Sequence, residues 1–295
     1  MVTRVTHTTI QRSTLANLQQ SLAAGARLQA QMSSGTKIAV PSDDPAASHD
    51  LLRLRADLRA NTQYERNRAD GDAWLATVDD GLRESLSIVR AARDLAVKAG
   101  NGSLSKDARE ALAAEVEARR DELLQQANTT YSGRQVFAGT SKDPAFATTP
   151  PYAYSGVAAA AVTREIGPGA TVRVDADGAA TFGTGTSSVF AVLDQLATSI
   201  RAGSLDMSAD LDAVDGRISA MLEQVASVGA RHGQVLAAKD VLMARTVTLK
   251  EQIGGIEDVD LAQIVLDVQA QEVAYRGALG AAAKVLQPSL LDFLR

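Results

Sequence analysis

With 295 residues and no cysteine, the chain can hold one large domain or two to three small ones, and it excludes disulfides, thiolate metal sites and a thiol nucleophile. Hydrophobic residues make up 45% but aromatic ones only 4%, with Trp74 the single tryptophan, so its cores rest on Ala, Val and Leu and suit helix seams better than a thick globular centre. A net charge of −5 argues against nucleic-acid binding, and no apolar run approaches the roughly eighteen residues of a membrane span.

The start, Met1 to Ile10, lacks the apolar block of a secretory signal. It is Arg-bearing, acid-free and rich in Ser and Thr, a composition shared by organelle transit peptides; sequence alone otherwise places the protein in the cytoplasm. Leu15, Leu18, Leu22, Leu28 and Met32 then mark an apolar helical stripe. Ser42-Asp43-Asp44-Pro45 reads as a helix start, with Asp44 as N-cap and Pro45 at the first helical position. That helix runs to about Gly100, and its second half carries the 3-4 seam Leu75, Val78, Leu82, Ser85, Val89, Ala92, Ala96 and Ala99. After a break at 101–106, a shorter helix has Leu112, Val116, Leu123 and Ala127 on one side.

From about 140 to 187, Pro144, Pro150, Pro151 and repeated glycines exclude long helices. Val162–Ile166 and Val172–Ala176 read as short strands, and Asp177-Gly178 as a hairpin turn leading to a strand at Ala179–Phe182. A β module of this size cannot build a large core of its own. Helix returns with Val189, Leu193, Leu196 and Ile200. Val214, Met221, Val228, Val235, Leu242, Leu249 and Ile256 follow at every seventh residue, beside the row Leu211, Ile218, Val225, His232, Lys239 and Thr246. A strict heptad predicts a left-handed supercoil with neighbouring helices. Gly254-Gly255 is expected to interrupt this helix. The last helix carries a coiled-coil seam of Leu261, Ile264, Val268, Gln271, Tyr275, Ala278, Ala282 and Val285, with Leu286, Leu290 and Leu291 beyond it.

Termini usually fray, because few contacts hold them, so apolar stripes at both ends require partners. Residues 1–42 carry Arg4, Arg12, Arg27 and Lys37 and no acid, whereas 257–295 are rich in Asp and Glu. Opposite signs on two apolar helices argue that they lie together, with charge setting partner choice. Burying so few large side chains does not offset ordering some thirty residues, so both ends are expected to be unfolded in the monomer and helical in a polymer.

No residue set points to catalysis or to a cofactor. His7, His49 and His232 lack a second ligand at metal spacing, and His232 sits where a polar seam residue sets register. Asp43-Asp44 is a cap and Asp79-Asp80 a solvated helix turn. Gly183-Thr-Gly185 lacks the third glycine and the βα setting of a nucleotide loop. Tyr152 and Tyr154 are expected to pack the β module.

Gln31-Met-Ser-Ser-Gly35, Ile38 and Pro41-Ser-Asp-Asp-Pro-Ala46 resemble the N-terminal signature of bacterial flagellins, and Ile256–Leu261 with Val285–Arg295 resembles their C-terminal region. The Pro41-Ser-Asp-Asp-Pro45 run, Asn128-Thr-Thr-Tyr-Ser-Gly-Arg134 with Phe137-Ala-Gly-Thr140, and the Leu-Gln-Pro-Ser-Leu-Leu ending favour the branch that joins hook to filament over a filament subunit. The resemblance implies a mainly α fold: a long coiled-coil helical bundle formed by both chain ends, with a small inserted β-rich module. It implies an inner coiled-coil layer of 1–44 with 256–295, a helical rod of 45–141 with 187–255, and an outward module of 142–186. The implied assembly interface comprises Leu15, Leu18, Leu22, Leu28, Met32, Leu261, Ile264, Val268, Tyr275, Val285, Leu286, Leu290 and Leu291. Implied partners are further copies of the chain in a ring or tube, hook-associated protein 1, flagellin, and a cytoplasmic export chaperone at the C-terminal segment. Type III export without a cleaved signal would place the protein in the extracellular flagellum. A filament subunit is the nearest alternative, and a cytoplasmic coiled-coil scaffold the alternative of another class.

Overall fold

The computed structural model describes residues 7–100, 104–157 and 160–286. Seven helices and two small sheets occur among them. The helices are α1 (His7–Ser34), α2 (Pro45–Ala99), α3 (Lys106–Ala127), α4 (Gly178–Phe182), α5 (Val189–Ala202), α6 (Ser208–Glu257) and α7 (Leu261–Leu286). The fold is mainly α, with long helices on either side of a small β insert. Two compact units form, Met1–Arg59 with Thr246–Arg295, and Ala60–Arg245.

In the 60–245 unit the helical seams sit where periodicity puts them. Leu75, Val78, Leu82, Ser85, Val89, Ala92, Ala96 and Ala99 are all buried on α2, as are Val214, Met221, Val228 and Val235 on α6. The companion row Leu211, Ile218 and Val225 packs partly buried against the same core. Antiparallel α2 and α6 are tied by Asn61 Nδ2 donating to the Leu242 carbonyl at 2.9 Å, by His232 Nε2 at 2.7 Å from Asp72, and by Arg93 forking onto Asp215. Arg201 of α5 forks onto Glu117 and also reaches Glu110 on α3.

The β segment departs from the expected pattern. Its hairpin is β3 (Thr163–Gly167) with β4 (Ala170–Arg173), antiparallel, and it turns at Gly169, whose φ of +69° is open to glycine. Asp177-Gly178 is not a turn between strands. The Asp177 carboxylate accepts from the amides of Ala179 and Ala180 and caps α4, so Ala179–Phe182 is helical. Gly178 serves close approach: a Cβ there would lie 2.4 Å from the Phe137 carbonyl oxygen. A second ribbon, β1 (Thr130–Tyr131) with β2 (Arg134–Gln135), overlaps the Asn128–Arg134 motif and has no periodic signal.

Aromatic residues are few but concentrated. Phe137, Phe146, Phe182 and Phe190 meet with centroids 5.0–5.9 Å apart, with Tyr152 tilted against Phe190 and Tyr154 against Phe146. They belong to one continuous core with Trp74, Leu82, Leu193 and Met221. The buried Asp175 carboxylate accepts from the Val162 amide and from Arg173, while Arg231 of α6 donates to the carbonyls of Arg173 and Asp175.

The other unit, by contrast, buries only Ser48, Leu51, Leu54, Leu249, Ile264 and Ala282 among its described residues. The helix α6 passes straight through Gly254-Gly255. Its i→i−4 bonding continues to the Asp258 amide on the Gly254 carbonyl, and the break comes at Asp258–Asp260, where Asp260 caps α7 through the Ala262 and Gln263 amides. Two helix-interior glycines cost about 2 kcal/mol against alanine, which the packed helix tolerates.

Candidate assembly interface

The turn after α1 accounts for Gln31, Gly35, Asp43 and Asp44 of the Gln31–Ala46 signature. Gly35, at φ +72°, ends α1, and its amide bonds to the Gln31 carbonyl. Gln31 Nε2 donates to the Lys37 carbonyl, Asp43 Oδ2 accepts from the Ala39 and Val40 amides, and Asp44 Oδ1 accepts from Ala47 at 2.9 Å as the N-cap of α2. The same turn meets the α6–α7 break: Lys37 donates to the Glu257 carbonyl at 2.7 Å, and Val259 to the Gly35 carbonyl at 3.1 Å. Arg55 closes this corner with two bonds to the Glu257 carboxylate.

From that corner α1 and α7 pair antiparallel. On α7, Ile264 and Ala282 are buried and Val268, Gln271, Tyr275 and Ala278 half-buried, the row that periodicity selects, apart from exposed Leu261. On α1 the half-buried residues are Thr14, Leu18, Ser21, Ala24, Gly25, Leu28 and Gln31. Leu18 and Leu28 therefore face α7, whereas Leu15 and Leu22 are 58% and 59% exposed and Met32 is 41% exposed. The helices meet over small residues. Continuing the 3-4 rule through Thr14, Leu18, Ser21, Gly25 and Leu28 finds this row; selecting only leucines misses Ser21 and Gly25. Only the backbone of Val285 and Leu286 is described, at the end of α7, and Leu290 and Leu291 lie outside the described residues.

Charge does not stitch this seam. No ion pair joins α1 to α7 among the described residues, and Arg12, Arg27, Asp267 and Glu272 are exposed. The side-chain polar link is Gln271 Nε2, which donates to Ser21 O at 2.8 Å and Ser21 Oγ at 2.9 Å.

A second apolar face is left over. Leu266, Ala270, Val273, Gly277 and Gly280 repeat at 3-4 spacing on the far side of α7, all exposed, and Leu261, Val265 and Leu279 flank the inner seam. The helix α7 thus carries apolar rows on two faces, and α1 covers one of them. Beside it an open groove of about 360 Å³ is lined by Leu22, Met32, Val268 and Tyr275 among others. No cluster of three metal-ligating side chains occurs among the described residues, and no helix there is long and apolar enough to cross a membrane.

Paired terminal helices with a bare apolar row define a subunit of a helical assembly. Comparison with known proteins gives that class its family. Residues 5–142 match the bacterial flagellin N-terminal helical region, and residues 211–294 match the C-terminal helical region. The chain belongs to the bacterial flagellin family. It is 26% identical over 289 residues to flagellar hook-associated protein 3 of Salmonella typhimurium, covering 90% of this chain and 91% of that one. Flagellin A of Vibrio anguillarum is 37% identical, but over 116 residues, 39% of this chain and 31% of the relative. Among solved structures, a flagellar hook-associated protein from Vibrio parahaemolyticus superposes with a TM-score of 0.67 at 22% identity, over 73% of this chain and all of that one.

Proposed function

We propose that the chain is a structural subunit of the bacterial flagellum that polymerises as the junction between hook and filament, and that it works without catalysis. One observation carries this reading: the match to a hook-associated protein 3 runs through nearly the whole of both chains, whereas the match to a flagellin stops at about two-fifths of this one. The bare apolar row of α7 supports a polymer rather than a monomer. In that polymer, residues 1–44 and 256–295 form the inner layer through the terminal seams, 45–141 and 187–255 the rod, and 142–186 the outer module. Further copies of the chain lie beside it, with hook-associated protein 1 on the hook side and flagellin on the filament side. The chain reaches this extracellular position by flagellar export without a cleaved signal, with its C-terminal segment escorted by a chaperone.

The 37% identity to flagellin A favours a filament subunit as second reading. Electron microscopy of a deletion strain separates the two. The junction role predicts intact hooks with flagellin secreted unpolymerised. Bare hooks with no secreted filament protein of 30.9 kDa would assign the chain to the filament instead.

A further inference from the structure

Apolarity does not decide which side of α7 meets α1. The inner side carries Ile264, Val268, Tyr275, Ala278 and Ala282. The outer side offers Leu266, Ala270, Val273, Gly277 and Gly280 at the same spacing, with Leu266 60% and Val273 69% exposed. Aliphatic contacts are non-directional, so they tolerate either face and a slip by one heptad.

A single amide breaks this degeneracy. Gln271 sits in the middle of the inner row, and its Nε2 finds both the carbonyl and the hydroxyl of Ser21. Opposite it, α1 carries Gly25, where a Cβ would make an ordinary contact with Gln271 Cγ at 3.7 Å, so Gln271 packs directly over this position. A seven-residue slip moves Gln271 opposite Leu28, which offers no side-chain acceptor, or opposite Thr14, a β-branched residue whose hydroxyl is held against its own helix by the bond to the Ile10 carbonyl. Turning α7 over removes the amide from the seam, because the outer row holds no polar side chain between Leu266 and Gly280. A polar seam residue that fixes register at some cost in stability is a known coiled-coil device.

We propose that Gln271 is the positioning residue of the α1–α7 pair: bonded to Ser21, it selects the face and the register of α7, and so keeps the Leu266–Gly280 row free for a neighbouring subunit. Only this last clause rests on the assembly reading above.

The absence of cysteine makes cross-linking of the full chain a direct test. By the antiparallel numbering set by Ser21 and Gln271, Leu18→Cys with Tyr275→Cys reports the native pairing. Leu18→Cys with Val273→Cys reports the opposite face, and Leu18→Cys with Val268→Cys a heptad slip. Each pair is oxidised in dilute and in polymerised protein, with circular dichroism as a check on helicity. With Gln271 present, the native cross-link exceeds the others by about tenfold, the weight of one good hydrogen bond. Gln271→Leu, which adds apolar seam and so preserves the helix, brings the three yields within about threefold. Ser21→Ala, which keeps the carbonyl acceptor, falls between. An unchanged tenfold preference in Gln271→Leu overturns the proposal, as does failure of every pair to cross-link in both states. The pattern is the same for a junction or a filament subunit, so the deletion phenotype tests the function and the cross-links test Gln271.

Discussion

Asn128 brackets the backbone of Phe146 with both ends of its side-chain amide: Oδ1 accepts from the Phe146 amide at 2.9 Å and Nδ2 donates to the Phe146 carbonyl at 3.0 Å. This clamp holds the aromatic knot against the end of α3. Asn128→Ala leaves both backbone groups without partners and is expected to cost about 1–3 kcal/mol. Asn128→Asp gives no full rescue, because it restores the acceptor but turns a carboxylate toward a carbonyl. Urea unfolding followed by the fluorescence of Trp74 measures both; an unshifted midpoint for Asn128→Ala would refute the clamp.

Met221 and Leu222 are neighbours with opposite duties. Met221 is fully buried in the α6 seam, whereas Leu222 is 43% exposed. Met221→Ala is expected to destabilise the unit by about 2–5 kcal/mol, and Leu222→Ala to stay within about 0.5 kcal/mol of the parent. The same denaturation assay reads the contrast, and equal effects would mean that the heptad row has been misplaced.

The long seams of α2, α6 and α7 were legible because a heptad is a direct imprint of one buried face. The Asp44 cap and the Gln31–Ala46 turn were legible because cap chemistry is local. What escaped was decided elsewhere in space. Asp177-Gly178 carries the letters of a hairpin, yet Phe137 presses on Gly178 from a segment some forty residues earlier, and Asp177 finds the amides of a helix. Gly254-Gly255 carries the letters of a break, yet the stop lies at Asp258, where the chain meets Gly35–Lys37. At the assembly face, Leu15 and Leu22 carry the large apolar side chains that a periodic pattern selects, whereas Ser21 and Gly25 make the contact by being small.

Glycines with opposite surroundings respond oppositely to a methyl group. Gly233 lies in mid-α6 with open space around its Cβ position, so Gly233→Ala is expected to raise monomer stability by about 1 kcal/mol through helix propensity. Gly178→Ala forces a Cβ onto the Phe137 carbonyl and is expected to cost about 1–3 kcal/mol. Thermal unfolding of the two variants side by side checks the signs, and a stabilised Gly178→Ala would show that the Phe137 contact yields easily.

Burial, followed by the 2.6 Å hydrogen bond to Asp194, pushes the Tyr152 phenol up to about 12. A raised folded-state pKa stabilises fully below the unfolded value of about 10 and is lost as pH rises through about 12. The parent is therefore expected to lose stability between those limits more steeply than Tyr152→Phe. At the acid end Arg201 holds Glu117 below its ordinary value, so that contribution is present above about pH 4.5 and disappears as pH falls. Glu117→Gln should flatten the acid limb; parallel curves for parent and variant would remove the ion pair from the account.

The two units differ in what holds them, and amide exchange should expose the difference. Between Ala60 and Arg245 a continuous core runs from Trp74 to Val235, so amides on the inner turns of α2 and α6 there open only with that unit. On α7 Ile264 and Ala282 are the buried residues among those described, and its outer row is exposed there. Helical hydrogen bonds alone leave an isolated helix marginal in water. In dilute monomer the 261–286 amides are expected to exchange orders of magnitude faster than those of Leu75–Val89, and to become protected on polymerisation as the Leu266–Gly280 row is covered. Strong protection of α7 in the monomer would mean that α1 and the corner at Glu257–Val259 suffice to hold it, and that assembly adds copies to a finished helix rather than completing an unfinished one.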